Sequence, residues 1–330
     1  MPKVTICIPT YNRSQYLAYA VNSVWQQTYS DFELIICDDA SVDDTPELVK
    51  QWRDDRLKYI RQPLNIGRSR NMRTGFTAAK GEYFLKFDDD DGITPDFLAK
   101  TVARLDNHPE VDFVCTNHWI IASDSQRMKD ATQLNIAKWG KDKLSEGIIP
   151  DLIEQTFDYQ SLQMGSTLFR LTSLQEVDYL RSQADGCEDF DLLVRLAIAG
   201  KTGYFLPELL MEYRFHQQQT SLKQDIHFLS AKAFCLNDYR FSTPELEKRR
   251  LVKLAQTQQA LGLRLIEQGE VKQGRQLLNF SRDILGNSAK LYGGWLLSYL
   301  PNEITKFTLS FLRQLRPQNY TEQVRTASMS

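Results

Sequence analysis

Four consecutive carboxylates, Asp88 to Asp91, are the residues of this chain with the clearest capacity for chemistry. They follow the apolar run Tyr83–Phe87, which is typical of a buried strand. Adjacent carboxylates at the end of a buried strand repel one another, and a hard cation with oxygen ligands would relieve that repulsion. A solvated acidic turn that closes a strand explains the same residues, so residue chemistry alone leaves both interpretations open.

Polar residues also follow two earlier predicted strands. They are Thr10 and Tyr11, after Val4–Ile8 and the expected stop at Pro9, and Asp38 and Asp39, after Phe32–Cys37. Helical patterns separate the strands, which predicts an α/β fold with a doubly wound, mostly parallel sheet. Ligands bind outside the carboxyl ends of the strands in such sheets. We therefore expect the three polar clusters to share one rim of the sheet.

A second acidic pair, Glu188 and Asp189, lies at the predicted start of a later helix. The free N–H groups in the first turn of a helix favour ionised carboxylates. On the same helix, the four-residue spacing of Asp191 and Arg195 predicts a surface ion pair.

Local signals give two more predictions for the N-terminal part of the chain. Ser14 is the predicted N-cap of the helix that follows the first strand. Residues 119–144 have a weak, polar pattern, which predicts a loop or mobile segment.

The composition is that of a soluble globular protein. Of 330 residues, 42% are hydrophobic and 25% are charged, and the formal net charge of −2 gives no basis for binding nucleic acid. The five cysteines have no metal-ligand spacing, which favours reduced thiols in the cytoplasm. We expect neither a signal peptide nor a membrane-spanning segment, because no suitable apolar stretch occurs.

The pattern becomes purely helical in the last third of the chain. We expect a main domain at 1–222, a helical region at 223–316 with an antiparallel pair at 246–268 and 271–285, and a disordered tail at 317–330. Ile304, Phe307 and Phe311 form an apolar stripe near Lys306, Arg313 and Arg316. We favour a helix that packs on its own domain. The alternative is a basic amphipathic helix that lies on a membrane surface.

Short motifs connect the polar clusters in a fixed order. They are Pro9-Thr10-Tyr11-Asn12, Asp38-Asp39-Ala40-Ser41-Val42-Asp43-Asp44-Thr45, Asn65-Ile66-Gly67 with Arg70-Asn71, Gly81-Glu82-Tyr83, Asp88 to Asp91 with Pro95, and Glu188-Asp189. Together they resemble the family 2 inverting glycosyltransferases over residues 3 to about 220. The resemblance implies a GT-A fold, with a Rossmann-like nucleotide-binding half at 1–118 and an acceptor-binding half at 119–222. The helical C-terminal extension lies outside it.

The resemblance also implies a nucleotide-sugar donor, usually a UDP-sugar. Asp39 would accept the imide N–H of the base, and either Arg68 or Arg70 would face the base or the diphosphate. The loop between Asn-x-Gly and Arg-Asn is shorter here than in many members of the family, so both arginines stay candidates. The residues implied in donor binding are Thr10, Tyr11, Asn12, Asp38, Asp39, Arg68, Arg70, Asp88 and Asp89.

The tetra-aspartate resembles the DxD motif of the family, with Asp88 and Asp90 as the matching pair. Asp90 would ligate Mg²⁺ or Mn²⁺, and Asp88 and His216 are the other implied metal-binding residues. Asp189 matches the general base, which takes the proton of the acceptor hydroxyl during a single displacement at the anomeric carbon. Glu188 is its rival for that role.

The expected function is metal-dependent, inverting transfer of a sugar from a UDP-sugar to a sugar or lipid-linked acceptor, in the synthesis of surface polysaccharide or glycolipid. We expect a cytoplasmic enzyme whose C-terminal helix is a candidate for peripheral contact with the inner face of the membrane. A non-catalytic nucleotide-sugar-binding partner module is the alternative, and Glu188-Asp189 argues against it. A dinucleotide-dependent oxidoreductase is disfavoured, because no G-x-G-x-x-G follows the first strand.

Overall fold

The computed structural model of the chain describes residues 1–215 and 225–314. These residues form two compact units. The first unit contains 1–182 and 188–215, and the second contains 183–187 and 225–314. His216, a predicted metal ligand, lies outside the described residues, and so do Arg316 and the predicted tail.

The first unit is built around a nine-stranded sheet. The strands are β1 (Val4–Thr10), β2 (Phe32–Asp38), β3 (Leu57–Arg61), β4 (Tyr83–Lys86), β5 (Gly92–Ile93), β6 (Phe113–Ile121), β7 (Gly147–Ile148), β8 (Thr167–Arg170) and β9 (Gly203–Arg214). The α-helices are α1 (Ser14–Trp25), α2 (Thr45–Gln51), α3 (Arg68–Ala78), α4 (Phe97–Asn107), α5 (Lys129–Lys138), α6 (Leu171–Glu176) and α7 (Glu188–Ile198).

The strand order across the sheet is β3-β2-β1-β4-β8-β6-β9-β5, with β7 beside β9. β1 is parallel to β2 and β4, β2 is parallel to β3, and β6 and β9 are parallel to each other. β8 runs antiparallel between β4 and β6, and the short strands β5 and β7 are antiparallel to β9. This arrangement confirms the predicted doubly wound, mostly parallel sheet and adds β8 as an antiparallel insertion.

Helices cover both faces of the sheet, which explains why its strands are continuous apolar runs. On one face, α1, α2 and α4 pack through residues such as Leu17, Val49 and Leu98. On the other face, α3 and α7 pack through Met72 and Leu192. Each fully buried aliphatic side chain of this kind contributes about 1.5–3 kcal/mol to folding. The carboxyl ends of β1, β2 and β4 remain as a polar rim.

Two local predictions near the N-terminus are wrong in detail. β1 continues through Pro9, which borders β2 but lies beyond the last pair between β1 and β4, so its missing N–H breaks no bond to β4. Ser14 is the first residue of α1 and not its N-cap. The Ser14 N–H donates instead to Asp43 Oδ2 at 3.0 Å. The capping carboxylate therefore comes from the loop after β2, which a local pattern cannot reveal.

The segment 119–144 is structured, contrary to the prediction of a loop. It contains the end of β6, the whole of α5 and a single helical turn at Lys141–Lys143. The buried residues of α5 are Ala131, Thr132 and Asn135, so this helix lacks the apolar stripe that would have predicted it. The Ile120 N–H donates to Thr132 Oγ1 at 3.0 Å, which attaches α5 to β6.

The predicted surface pair of Asp191 and Arg195 is buried. Asp191 accepts hydrogen bonds from Arg195 Nε at 2.8 Å and from Arg181 Nε at 3.0 Å. Arg195 also donates to the carbonyl oxygens of Val177 and Tyr179. Helical spacing predicted the Asp191–Arg195 pair correctly. It could not predict that the pair is buried, because Arg181 and the turn at Val177–Tyr179, which contact the pair, lie outside the helix. The network anchors α7 to the turn that precedes it.

The second unit is helical. Its helices are α8 (Asp225–Asp238), α9 (Pro244–Gln268), α10 (Val271–Leu285), α11 (Ala289–Leu297) and α12 (Asn302–Gln314). α9 and α10 follow each other across a turn at Gly269 and pack together, as the sequence predicts. None of the helices in the described ranges combines the length and the apolar character that crossing a membrane requires.

α11 and α12, together with the turn between them, expose many large apolar side chains. Phe307 is 72% exposed, and its ring stacks on that of Phe311 with centroids 6.3 Å apart. We call the set the apolar face; it consists of Leu296, Tyr299, Leu300, Ile304, Phe307, Phe311 and Leu312. α12 packs against α9, as the favoured prediction of a helix packed on its own domain expects, but its apolar stripe remains exposed. Among the α12 residues whose side chains the structure describes, Thr305 is buried, and it donates to Leu297 O at 2.6 Å.

Candidate active site

Hydrogen bonds join the carboxyl ends of β1 and β2 at one rim of the sheet. The Asp39 N–H donates to Thr10 O at 3.0 Å, and the Asn12 N–H donates to Ser41 Oγ at 2.9 Å. Asn12 Oδ1 in turn accepts the Val42 N–H at 2.8 Å. Asn12 has a left-handed backbone conformation, φ 53°, which asparagine tolerates better than most residues. The two polar clusters predicted at these strand ends therefore lie together.

Asp38 and Asp39 are both buried, and each holds a different part of the rim. Asp38 accepts the Ser41 N–H at 2.8 Å and the hydroxyl of Tyr59. The two oxygens of Asp39 accept the N–H groups of Ile66 and Gly67 at 2.8 and 3.0 Å. Asp38 thus closes the end of β2, while Asp39 holds the loop that leads into α3.

Asp88 lies between two cations. Lys86 Nζ is 2.7 Å from Asp88 Oδ2, and Arg68 donates to Asp88 Oδ1 at 3.0 Å. Burial alone would raise the pKa of Asp88, but the charges of Lys86 and Arg68 lower it to about 2. Asp88 is therefore ionised at neutral pH. Lys86, only 1% exposed, was missed by the sequence analysis, although a lysine inside a buried apolar strand is itself a signal.

Arg13 holds the next two carboxylates. One of its terminal nitrogens lies 2.7 Å from Asp90 Oδ2 and 3.2 Å from Asp89 Oδ1. Burial raises the pKa of Asp89 to about 7 against the opposing charge of Arg13, and the neighbouring Asp90 adds to the rise. Arg13, which directly follows the motif Thr10-Tyr11-Asn12, was not predicted from the sequence either.

The fourth carboxylate, Asp91, faces inward. Asp91 Oδ1 accepts the Arg214 N–H at 2.8 Å, while Asp91 Oδ2 is buried without a hydrogen-bond partner among the described residues. Burial, with the charges of Asp90 and Asp88, raises the pKa of Asp91 well above its ordinary value. Arg214 also donates through Nε to Asp90 O at 2.6 Å, so this buried arginine fixes the backbone of the loop. Gly165 lies beside the same carboxylates: a Cβ there would be 4.0 Å from Asp88 Oδ2 and from Asp91 Oδ2.

The start of α7 reaches the same place. Glu188 is buried, and its Oε1 lies 3.1 Å from Arg68 Nε. Burial raises the pKa of Glu188, and the charge of Arg68 opposes the rise. Asp189 is half-buried, and its charge acts on both Arg68 and Lys86. The predicted base and the predicted DxD motif are therefore parts of one charged cluster.

The structure distinguishes between the two candidate arginines. Arg68, the first residue of α3, contacts Asp88 and Glu188, whereas the side chain of Arg70 is exposed and no contact to the cluster is seen for it among the described residues. Tyr11 is 45% exposed next to the rim, and Thr10 is buried beside Asp89. Most of the residues predicted for the site therefore lie together in the structure. His216 is outside the described ranges.

The cluster can accommodate a divalent cation, although it is not a complete cage. Among the described residues, no three His, Cys, Asp or Glu side chains converge as a metal site. Magnesium commonly binds through one or two carboxylates and completes its shell with substrate phosphates and water. The adjacent carboxylates, and the buried Asp91 oxygen that has no hydrogen-bond partner in the described part of the chain, fit such a partial site.

Comparison with known proteins identifies the family of this chain. The family described as Glycosyl transferase family 2 matches residues 5–171. The putative glycosyltransferase EpsE of Bacillus subtilis is 29% identical over 220 residues, which cover 64% of this chain and 73% of EpsE. Two other curated glycosyltransferases are matched over 35% of their own length.

Two solved structures have the same fold at low sequence identity. S. aureus TarS in complex with UDP-GlcNAc aligns with a TM-score of 0.58 at 15% identity, over 96% of this chain and 93% of that one. A mannosyltransferase from Pyrobaculum calidifontis, in complex with GDP-Man and Mn²⁺, aligns with a TM-score of 0.58 at 18% identity, over 94% and 85%. The chain therefore belongs to glycosyl transferase family 2 and has the GT-A fold.

Proposed function

We propose that this protein is a metal-dependent, inverting glycosyltransferase that moves a sugar from a UDP-sugar to a hydroxyl group of an acceptor. The observation that carries the proposal is a chain of contacts through Lys86, Asp88, Arg68 and Glu188. It joins the rim at the ends of β1, β2 and β4 to the helix that begins with Glu188 and Asp189. A donor on that rim would therefore meet a carboxylate suited to activate an acceptor.

The donor would bind along the rim. Asp39 and Asn12 hold the two loops that would enclose the base and ribose. Arg68, 52% exposed, would face the diphosphate. UDP-GlcNAc bound to TarS favours a uridine donor, and GDP-Man in the mannosyltransferase makes guanosine the competing choice.

Asp88 and Asp90 would hold Mg²⁺ or Mn²⁺, and Mn²⁺ in the mannosyltransferase structure supports that choice. The cation would neutralise negative charge on the departing diphosphate. Lys86 and Arg68 keep Asp88 ionised at neutral pH, and Arg13 orients Asp90. Arg214 keeps the backbone of the loop in place.

Asp189 would accept the proton of the acceptor hydroxyl as that oxygen attacks the anomeric carbon. It lies in the first turn of α7 and is half-buried, beside the charges of Arg68 and Lys86. Glu188 is less suited to this role, because it is buried and bound to Arg68.

The acceptor would be a sugar or a lipid-linked sugar used in surface polysaccharide or glycolipid synthesis, and the enzyme would work in the cytoplasm at the membrane surface. The apolar face of α11 and α12 supports peripheral contact with a bilayer. Residues 289–314 contain Lys290, Lys306 and Arg313 against the single acidic residue Glu303, a balance that suits anionic lipids.

Calorimetric titration of UDP, GDP and dTDP, with and without Mn²⁺, tests the proposal on the wild-type protein and on Asp90→Ala. We expect UDP to bind in a Mn²⁺-dependent way and Asp90→Ala to weaken that binding at least tenfold. Preference for GDP would change the donor class. Binding of no nucleotide under any condition would contradict the proposal. Binding without transfer to any acceptor would favour the non-catalytic partner module.

A further inference from the structure

Arg68 links two carboxylates that the sequence places 100 residues apart. Its terminal NH2 group donates to Asp88 Oδ1 at 3.0 Å, and its Nε lies 3.1 Å from Glu188 Oε1. An arginine side chain has five N–H donors in a rigid plane, so these two contacts leave three N–H groups for another ligand. Because 52% of the side chain is exposed, those groups can be reached from solvent.

The backbone of Arg68 is held as firmly as its side chain. Asp39 accepts the N–H groups of Ile66 and Gly67, the two residues that precede it. Gly67 has φ +87°, a backbone conformation that residues other than glycine rarely adopt, and α3 begins at the next residue. Because the backbone at Arg68 is fixed, the direction in which its guanidinium points is set by its two carboxylate partners, Asp88 and Glu188.

The two partners of Arg68 differ in what else they bind. Asp88 also pairs with Lys86 at 2.7 Å. The contact of Glu188 to Arg68 is an ion pair made by a side chain that is only 4% exposed, in the first turn of α7. A carboxylate so buried is badly placed to meet an acceptor hydroxyl, whereas the adjacent Asp189 is half-buried.

We propose that Glu188 is a positioning residue, which acts through Arg68 and orients its remaining N–H groups toward the β-phosphate of a nucleoside diphosphate. The inference rests on the proposed function and divides the acidic pair into two roles. Asp189 acts on the acceptor, and Glu188 acts on the donor through Arg68.

The proposal predicts different effects for two substitutions at the same position. Glu188→Gln keeps an oxygen acceptor for Arg68 Nε and should change the Kd of UDP by less than about threefold. Glu188→Ala removes the acceptor, and we expect it to weaken UDP binding by about tenfold. UMP lacks the β-phosphate, so its Kd should change by less than about twofold in either variant.

The test is calorimetric titration of UDP and UMP, with Mn²⁺, into wild-type protein, Glu188→Gln, Glu188→Ala and Glu176→Gln. Glu176→Gln is the control, because it neutralises an exposed carboxylate that pairs with Lys201 outside the cluster, and it should leave both Kd values unchanged within about twofold. Equal losses for Gln and Ala, equal losses for UDP and UMP, or no loss in Ala would each overturn the positioning role. If wild-type protein binds neither nucleotide, the proposed function itself fails, which is a distinct result.

A double-mutant cycle completes the test and does not depend on Glu188→Ala alone. In the background of Arg68→Gln, Glu188→Ala and Glu188→Gln should each change the Kd of UDP by less than about twofold, because the residue through which Glu188 acts is gone. Additive losses would show that Glu188 acts independently of Arg68 and would overturn the proposal. Thermal unfolding of each variant identifies any that fails to fold, and if Glu188→Ala is one, Glu188→Met, which also lacks the oxygen acceptor, takes its place in the cycle.

Discussion

Neighbouring carboxylates in the tetra-aspartate have very different proton affinities, although they share one short loop. Two cations lower the pKa of Asp88 to about 2, while burial raises that of Asp89 to about 7 and that of Asp91 well above its ordinary value. The difference comes from counter-charges: Lys86 and Arg68 pair with Asp88, whereas among the described residues Asp91 Oδ1 accepts one backbone N–H, that of Arg214. Side chains with identical chemistry therefore divide into an ionised carboxylate paired with two cations and a buried carboxyl group that faces inward.

At the residue scale, the proposed role of Asp189 as general base leads to a direct prediction. Asp189→Asn should lower the rate of sugar transfer by about 10²–10⁴ because general-base assistance is lost. UDP affinity should stay within about twofold of wild type. Release of UDP in the presence of an acceptor measures the rate, with Glu176→Gln, which removes an exposed partner of Lys201, as the control. Normal turnover by Asp189→Asn would remove this residue from the chemistry.

The buried anchor of α7 predicts an effect on stability. Asp191→Ala removes the carboxylate that Arg181 and Arg195 share, and breaking a buried pair in this way costs about 3–5 kcal/mol. Urea unfolding measures the change. Glu208→Gln removes an exposed partner of Lys100 and should cost less than about 1 kcal/mol. Equal, small losses for both variants would mean that the network does not support α7.

At the scale of elements, β6 and the turn after α5 enclose a buried lysine that no local sequence pattern predicts. Lys141 Nζ lies 3.2 Å from His118 Nδ1, and both side chains are buried. Burial lowers the pKa of Lys141 to about 8, and burial together with the charge of Lys141 lowers that of His118. The fold therefore favours the neutral amine.

This pair predicts how stability depends on pH. Between pH 8 and about 10.4 the unfolded chain holds a proton on Lys141 that the folded chain has released, so folding becomes more favourable as pH rises. The gain from this residue should be about 2 kcal/mol between pH 7.5 and 10. Urea unfolding of Lys141→Met should lack that gain, and exposed Lys143→Met should retain it. Parallel pH profiles for wild type and Lys141→Met would contradict the prediction.

The sequence predicts elements best where one local signal suffices. β1, β2 and β4 are continuous apolar runs, and the polar residues at their ends identified the rim. α5 was missed because its buried side is small and polar, and Ser14 was misassigned because its capping partner, Asp43, comes from another loop. Long-range pairing is not present in any local pattern.

Residues of the candidate site could be predicted where they belong to a local motif. Asp88, Asp90 and Asp189 were found through motifs, whereas the cations that organise them were not. Lys86 was counted within an apolar strand, and Arg13 within a loop. Arg68 was separated from Arg70 only when the start of α3 and its contacts were known. Roles that depend on a partner distant in sequence need the fold.

At the scale of the whole molecule, the family match ends at residue 171 and the second unit lies beyond it. The apolar face belongs to that unit and is formed by side chains whose burial would normally stabilise a fold. Such a surface suits a function at an interface, and the proposed membrane contact gives it one.

That contact leads to a prediction for the complete protein. Phe307→Ser with Phe311→Ser should reduce co-sedimentation with phosphatidylglycerol vesicles by about tenfold or more, because two aromatic anchors are lost. UDP binding should not change. Phe280→Ser, on α10 and outside the apolar face, is the matched control. Unchanged vesicle binding by the double variant would mean that another surface, or a protein partner, uses the apolar face.

Gly75 in α3 has a consequence that extends to the charged cluster. A Cβ at this position would lie 2.2 Å from Cys7 Sγ and 2.8 Å from Cys37 Sγ, so α3 lies as close to the sheet as a helix without that atom can. Arg68 begins the same helix about 10 Å away along its axis. The missing side chain of Gly75 therefore sets the short distance between α3 and the sheet. A methyl group at this position would push the helix away from the sheet and draw Arg68 away from Asp88 and Glu188.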